Sequence, residues 1–473
     1  MQTLQNLIAG TWQGSADRTT LHVLIDPATE ELVAHRPGGS AKDVDDAVRA
    51  AVDAQPEWAA RSLVERIELL HRWADTVTEH ALELAELECR EMGKPVGLGR
   101  TFIEGAALGL RAAADQAHSY AFEQSIPGPG GSTTRIVRRP LGAAAVITPW
   151  NFPVPMVLGA IGPLLAAGNT VVVKPSERAS LSVVRLCELL DPPPGLLNLV
   201  LGDARAGIPL AEHEDVHLVH FTGSVTAGRA VGAAAGARLH RSVLELGGKD
   251  PVMIDADVDP VRTAAAVAFG AFVNSGQICT SMERIYVHRA VAEPFIEALV
   301  AQAAGHVLGD GRDERTTLGP LVDRRQRDLV HGHVVDAVAR GATLRTGGTV
   351  PEGPGFFYPA TVLTGVDESM AVLREETFGP LAPVVVVDSF EEGLDRAARS
   401  RFGLAATVYT ENADHIAAAE RLPVGVVWVN QWQGGGPERL YEPAGISGMG
   451  ATGAHAAYDA ATRPASIHIA EAG

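Results

Sequence analysis

The chain has 473 residues, 46% hydrophobic and 20% charged, an ordinary globular balance with enough length for two or three domains that each bury a core. Its formal charge of −18 disfavours binding to nucleic acid or anionic membranes, and three cysteines exclude a disulfide framework or a zinc cluster. The longest apolar runs, at 143–147 and 384–387, are far too short to cross a bilayer.

Residues 1–30 carry Asp17, Arg18, Asp26 and Glu30 and no continuous apolar stretch, which predicts no secretory leader and a cytoplasmic protein. Residues 1–40 read as irregular, with a hairpin around Gly10-Thr11-Trp12. Ser40 offers a helix N-cap, after which apolar residues recur at three and four through Val44, Ala47, Val48 and Ala51. Helices are predicted to about Met92, where Gly93-Lys94-Pro95 stops them, and again from about 101 to 122. A turn-rich loop at 126–131 leads into a predicted strand at 132–139, with Thr134, Ile136 and Arg138 on one face. Such an excursion from the core suits a contact between subunits.

From 141 to 248 short apolar strands alternate with helices: strands at 143–148, 170–174, 197–201, 216–222 and 242–246, and a helix at 155–167. Alternation of this kind indicates a parallel sheet covered on both faces, with ligands at the carboxyl ends of its strands. The first strand ends in Thr148-Pro149-Trp150-Asn151-Phe152-Pro153, where two prolines fix an amide that either donates to an oxyanion or turns the chain. Another ends in Lys174-Pro175-Ser176-Glu177, a donor and an acceptor for a ribose diol, or simply the start of a helix. At 221–228 strand, glycine loop and small-residue helix follow in the order that binds phosphate.

Glu245-Leu246-Gly247-Gly248-Lys249 and, after a predicted helix at 260–272, Gly276-Gln277-Ile278-Cys279-Thr280 supply a carboxylate and a thiol suited to general-base and nucleophilic work. Taken alone, the pair would also fit a buried thiol beside a turn acid. Cys89 and Cys187 fall in helical patterns and read as core thiols. Before a predicted strand at 381–387, Glu376 and Phe378 place an acid and an aromatic two apart, able to grip a ribose and flank a ring. Three further patterns are set aside. Residues 448–453 match a dinucleotide fingerprint but follow no strand of a βαβ unit. His217 and His220 point to opposite faces of one predicted strand, and the acidic run 255–259 lacks the glycine and closing glutamate of a calcium loop. No metal site is predicted.

In this order the strand-end motifs resemble those of the NAD(P)-dependent aldehyde dehydrogenase superfamily, over essentially the whole chain. The resemblance implies an α/β fold with a Rossmann-type cofactor domain (1–122 and 141–246), an α/β catalytic domain (247–430) and a small β oligomerisation element (123–140 and 431–473) in a homodimer or homotetramer. It implies oxidation of a small-molecule aldehyde to the carboxylic acid. Cys279 would be the nucleophile, Glu245 the general base, and Asn151 with the backbone N–H of Cys279 the oxyanion hole. The implied cofactor is NAD, with NADP as the alternative. Its contacts would be Ile147, Thr148, Pro149, Trp150, Lys174, Ser176, Glu177, Gly202, Gly223, Ser224, Gly228, Leu246, Glu376 and Phe378. Among these, Lys174 and Glu177 would hold the adenosine ribose, Ser224 the pyrophosphate and Glu376 the nicotinamide ribose, with Phe378 near the nicotinamide. Glu177 favours NAD, because a carboxylate repels a 2′-phosphate.

The chain departs from the family at 439–448, where many members carry Pro-Phe-Gly-Gly, and Gly159 and Val273 stand where relatives often place aromatics. These departures predict a wider tunnel for a bulkier, aromatic or functionalised aldehyde, with Arg439 or Arg284 available to an acidic tail. The competing readings are a CoA-acylating aldehyde dehydrogenase, a catalytically silent member of the fold, and a cysteine hydrolase, which lacks a histidine partner by motif.

Overall fold

Two large sheets carry the chain in the computed structural model, which describes residues 3–436 and 438–470. Pro437 of the glycine-rich run and residues 471–473 of the predicted C-terminal element lie outside the described residues. In the first sheet the strand order is Thr11–Gln13, Asn6–Ile8, Leu197–Leu199, Thr170–Lys174, Ala143–Ile147, Val216–Thr222, Arg241–Glu245, Gly448–Met449. From Leu197–Leu199 to Arg241–Glu245 neighbouring strands are parallel, while both edges close antiparallel. Ala143–Ile147 and Thr170–Lys174 are buried at every residue, as a sheet covered on both faces requires. Chain order runs outward from Ala143–Ile147 in one direction and then resumes on its other side at Val216–Thr222. A crevice opens at such a reversal.

The second sheet runs Thr343–Thr346, Thr361–Thr364, Leu381–Val387, Met282–His288, Asp250–Ile254, Ala405–Tyr409, Val426–Val429, parallel except at its first pair. A third, antiparallel sheet joins Glu123–Pro127, Thr133–Pro140 and Thr462–Ile469. The predicted excursion therefore finds its partner strand in the C-terminal tail, Thr133 facing Ile469.

Local chemistry explains most boundaries. Ser40 accepts from the Asp43 amide at the head of Ala41–Ala60, Ser62 and Glu65 form a capping box on Leu63–Glu79, and Ala81–Met92 ends on left-handed Gly93. The next helix, Val96–Ser119, starts earlier than the predicted 101 and stops before 122. Its Gly99 sits against Ala85, where a Cβ would come within 3.2 Å of the alanine methyl, so close helix packing overrides low helix propensity. Residues 3–40 form the expected hairpin, Asn6–Ile8 with Thr11–Gln13, and a second pair where irregular chain was expected, Leu21–Ile25 with Leu32–Pro37. The first of them is held by Leu199, far along the chain, which no local pattern reveals.

Candidate active site

At the carboxyl ends of the first sheet's parallel strands lies a cavity of about 1140 Å³, above the roughly 300–1,000 Å³ typical of a pocket for one drug-sized ligand. Its wall passes from Lys174, Ser176 and Glu177, past Gly223 and Ser224, to Ile147, Thr148, Pro149, Trp150, Asn151, Glu245, Leu246, Cys279, Glu376 and Phe378. Of the catalytic and cofactor-contact residues that the resemblance implies, Gly202 and Gly228 alone are off the wall, and both work from behind it. The Gly202 carbonyl accepts a 2.8 Å hydrogen bond from Lys174 Nζ. At Gly228 a Cβ would stand 2.2 Å from Leu246, so glycine lets the helix Val225–Ala237 settle onto a wall residue.

Cys279 is brought to the cavity by a strained approach. The helix Pro260–Phe272 starts on Pro260, with Asp259 accepting from the amides of Val261 and Arg262, and it matches the predicted 260–272. Three residues with left-handed backbone follow: Asn274, Ser275 and Gly276, at φ of 53°, 56° and 69°. Each non-glycine residue there costs about 1–2 kcal/mol. Buried hydrogen bonds hold the turn: Ser275 Oγ to Gly319 O at 2.8 Å, Gln277 Nε2 to Asn274 O at 3.1 Å, and Val322 N to Gln277 Oε1 at 2.9 Å. Gly276 is obligatory, because a Cβ would lie 2.1 Å from Gly379 O. Asn151, 4% exposed, donates from Nδ2 to Gln277 O at 2.9 Å, which fixes its amide plane beside the thiol loop. Among the described residues the Cys279 N–H donates to no protein acceptor. Burial raises the Cys279 thiol pKa, and Asp250, Glu245 and Glu376 raise it further, so the sulfur rests protonated.

The glycines between Glu245 and Lys249 are explained by contact. A Cβ on Gly247 would meet the Glu376 carboxylate at 2.2 Å, and one on Gly248 would meet Cys279 O at 2.3 Å. The Glu245, Cys279 and Glu376 loops therefore pack directly against one another. Burial pushes the Glu245 carboxyl up to about 8, opposed by a 3.1 Å hydrogen bond that Thr452 Oγ1 donates to Oε1. Glu376 is likewise pushed up to about 8 by burial and by Glu283, and its Oε1 accepts from Gly248 N at 3.1 Å.

The Glu376 loop is pinned from below. Glu283, buried and paired with Lys249 at 2.5 Å, accepts the amides of Thr377 at 2.8 Å and Phe378 at 2.7 Å. Phe378 is held at φ 52°, with its ring edge-on to Trp150 at 5.3 Å. These features fit a dinucleotide. Two rings flank the crevice, a helix N-terminus headed by Ser224 faces it, and Lys174 keeps one ammonium proton beyond those given to the Pro175 and Gly202 carbonyls.

Some expectations move. Arg284 is buried and donates to the carbonyls of Lys249, Arg396 and Ala397, so it is structural and not free for a substrate tail. Gly159 and Val273 are off the cavity wall, which near Cys279 is built of Phe102, Phe152, Met156 and Ile278. The argument for a wider tunnel from those two positions therefore falls. Residues 448–453 form an edge strand, Gly448–Met449, against Leu244 and Glu245, followed by the Thr452 contact. Among the described residues no group of three or more His, Cys, Asp or Glu is arranged to hold a metal. Thr452, Gln433 and the Lys249–Glu283 pair were not singled out from sequence, because each acts through a partner distant along the chain. Gln433, on the wall, donates to Thr280 Oγ1 at 2.9 Å.

Comparisons with known proteins agree with this geometry. The sequence model of the Aldehyde dehydrogenase family matches residues 12–467. A 2-hydroxymuconic semialdehyde dehydrogenase of Pseudomonas sp. (strain CF600) is 37% identical over 91% of this chain and 92% of its own length. A 3,6-anhydro-α-L-galactose dehydrogenase of Streptomyces coelicolor is 39% identical over 92% and 89%. Among solved structures, the NAD⁺ complex of an aldehyde dehydrogenase from Bacillus cereus superposes with a TM-score of 0.96 at 32% identity, covering all of this chain and 97% of that one. The protein is an oxidoreductase that converts an aldehyde to the acid with NAD(P). With a cavity of this shape and a family match along nearly its whole length, the chain belongs to the aldehyde dehydrogenase family.

Proposed function

We propose that Cys279 carries the aldehyde through oxidation and that Glu245 drives hydrolysis. The observation that carries this reading is the single cavity wall shared by Cys279, Glu245, Asn151, Glu376 and Phe378. Cys279 gives up its proton to solvent water and Sγ adds to the carbonyl carbon, leaving a thiohemiacetal whose oxyanion accepts from Asn151 Nδ2 and the Cys279 N–H. Lys174 and Glu177 would hold the adenosine ribose of NAD(P), Ser224 its pyrophosphate and Glu376 its nicotinamide ribose, and the bound dinucleotide would supply the hydride acceptor. Loss of hydride from the former carbonyl carbon leaves a thioester on Cys279. Ionised Glu245 then takes a proton from water, the water oxygen attacks the thioester, and the carboxylic acid leaves as the thiol recovers its proton.

The apolar side chains Phe102, Phe152, Met156 and Ile278 favour an aldehyde with an aromatic or long apolar body. Benzaldehyde is expected to exceed acetaldehyde in kcat/KM by about tenfold or more, since each buried methylene contributes about 1–3 kcal/mol. Comparable values would contradict this. A semialdehyde belongs in the same panel: Arg439 donates to Gln433 O at 3.2 Å beside the wall, and one relative is a semialdehyde dehydrogenase.

We assign the first sheet to cofactor binding, the second to the catalytic domain, and the third to assembly. Every residue of its edge strand Glu123–Pro127 is exposed, leaving an unpaired edge that a second copy would cover. Light scattering should give two or four times the 49.6 kDa chain mass, whereas a monomer would refute the assignment. Among the described residues no helix is long and apolar enough to cross a membrane, and three free thiols favour the cytoplasm. Activity confined to a membrane or secreted fraction would argue against it.

A further inference from the structure

Lys94 and Glu88 form a buried ion pair that the reaction leaves unused. Both side chains are fully buried, and Lys94 Nζ donates to Glu88 Oε2 at 2.7 Å, its one hydrogen bond among the described residues. A pair so far removed from water is a weak source of stability, because desolvation of the two charges offsets their attraction. Its surroundings give another reason for it. Lys94 Nζ stands 4.2 Å from the centre of the Phe152 ring, within cation–π range, and that ring meets Phe102 edge-on at 4.8 Å. Phe102 and Phe152 both line the cavity. The other carboxylate oxygen, Glu88 Oε1, accepts from Val154 N at 3.1 Å. Phe152 heads the helix Pro153–Ala166 without a side-chain cap, so Glu88, on the helix Ala81–Met92, caps it from outside.

Asn151 therefore lies between two residues seated on the end of the helix Ala81–Met92. Trp150 packs against the cluster of Met92, Ala179 and Val322, and Phe152 rests on Lys94. Glu91 ties the same helix end to the helix Leu181–Leu190, accepting from Leu181 N at 2.6 Å and Ser182 N at 3.1 Å, which fixes the seat. From the opposite side the thiol loop holds Asn151: Nδ2 donates to Gln277 O at 2.9 Å, and Asn151 O accepts from Asn274 Nδ2 at 3.3 Å. One proton of Nδ2 is used there, and the second is left for an oxyanion. The aim of that proton depends on where the backbone at 151–154 sits.

We propose that Lys94 and Glu88 are positioning residues for the oxyanion hole: the ammonium fixes the Phe152 ring, the carboxylate fixes the helix start at Val154, and together they aim the Asn151 amide at the aldehyde oxygen. The inference rests on the reading of Asn151 as the oxyanion donor. Neither side chain touches substrate or cofactor. A misplacement of about 1 Å at a reacting group, caused from a distance, costs on the order of 10²-fold in rate.

Burial lowers the Lys94 pKa and Glu88 opposes it, so removal of one partner strands the other. Lys94→Met and Glu88→Gln are therefore combined, which keeps a carbonyl oxygen for Val154 N. The intact double variant, saturated with NAD, is mixed rapidly with saturating acetaldehyde, a substrate too small to depend on the aromatic wall. The first-turnover rate of reduced-nicotinamide formation should fall about 10- to 100-fold, with NAD affinity by calorimetry within threefold of wild type. In an Asn151→Ala background the same pair of changes should cost less than threefold, because no amide remains to be aimed. A loss below tenfold, an NAD affinity lowered threefold or more, or a loss of threefold or more in the Asn151→Ala background would overturn the inference. If the double variant does not fold, Phe152→Leu decides, since it removes the ring from the ammonium and leaves the pair in place. A tenfold or greater loss with acetaldehyde supports the positioning role, whereas a smaller loss, or one confined to benzaldehyde, shows a wall contact only and overturns it. Asn151→Ala with an unchanged first-turnover rate sinks the oxyanion reading itself, whereas slow Asn151→Ala beside a fast double variant sinks this inference alone.

Discussion

Changing Cys279 to Ala is expected to lower reduced-nicotinamide formation from any aldehyde by at least ~10⁴-fold. The substitution removes one sulfur from a loop whose shape is fixed elsewhere, by Ser275, Gln277 and Gly276, so melting temperature and dinucleotide affinity should change little. No other thiol can substitute. Cys89 and Cys187 are buried and free, and neither lines the cavity. A Cys279→Ala protein retaining activity within tenfold of wild type would refute the assignment.

Glu245→Gln should leave hydride transfer intact and slow thioester hydrolysis by about 10²–10⁴-fold. The expected signature is a burst of one reduced cofactor per chain followed by a slow steady state. Wild-type turnover should carry the sign of a buried base. Burial raises Glu245 to about 8, and only the ionised form accepts a proton. The deacylation rate therefore climbs about tenfold per pH unit below that value and levels off above it. Thr452 donates to Glu245 and so favours the ionised form. Thr452→Val should move the limb upward by about one pH unit, since a hydrogen bond to a charged group is worth roughly 1.5–3 kcal/mol, while Thr452→Ser should leave it in place. A limb at the ordinary carboxylate pH, or one unchanged in Glu245→Gln, would contradict the role.

How much of this was legible in the sequence depends on the range of the interaction. Elements set by their own residues read cleanly: the helix Pro260–Phe272, with its aspartate cap and leading proline, and the apolar strand Leu381–Val387. The strand ends that form the cavity wall did too, because each carries its own turn residues: Pro149 and Pro153, Pro175, Gly223, and Gly247 with Gly248. What escaped was set by partners remote in the chain. The hairpin of Asn6–Ile8 with Thr11–Gln13 was legible at Gly10, but its docking on Leu199 was not. Thr452 holds Glu245 across 207 residues, and Lys249 meets Glu283 across 34. Gly202 and Gly228 were named only as cofactor contacts implied by the resemblance, and their close approach to Gly38 and Leu246 was not legible in the sequence.

The central claim is that one thiol, aimed into the cavity by a strained turn, becomes acylated while a neighbouring buried carboxylate waits to release it. Intact mass analysis of Glu245→Gln, quenched after mixing with NAD and an aromatic aldehyde and then mapped by peptide, measures that directly. The account predicts one acyl group per chain, attached at Cys279. Acyl found on Cys89 or Cys187, or reduced cofactor formed in a burst with no covalent adduct, would contradict it.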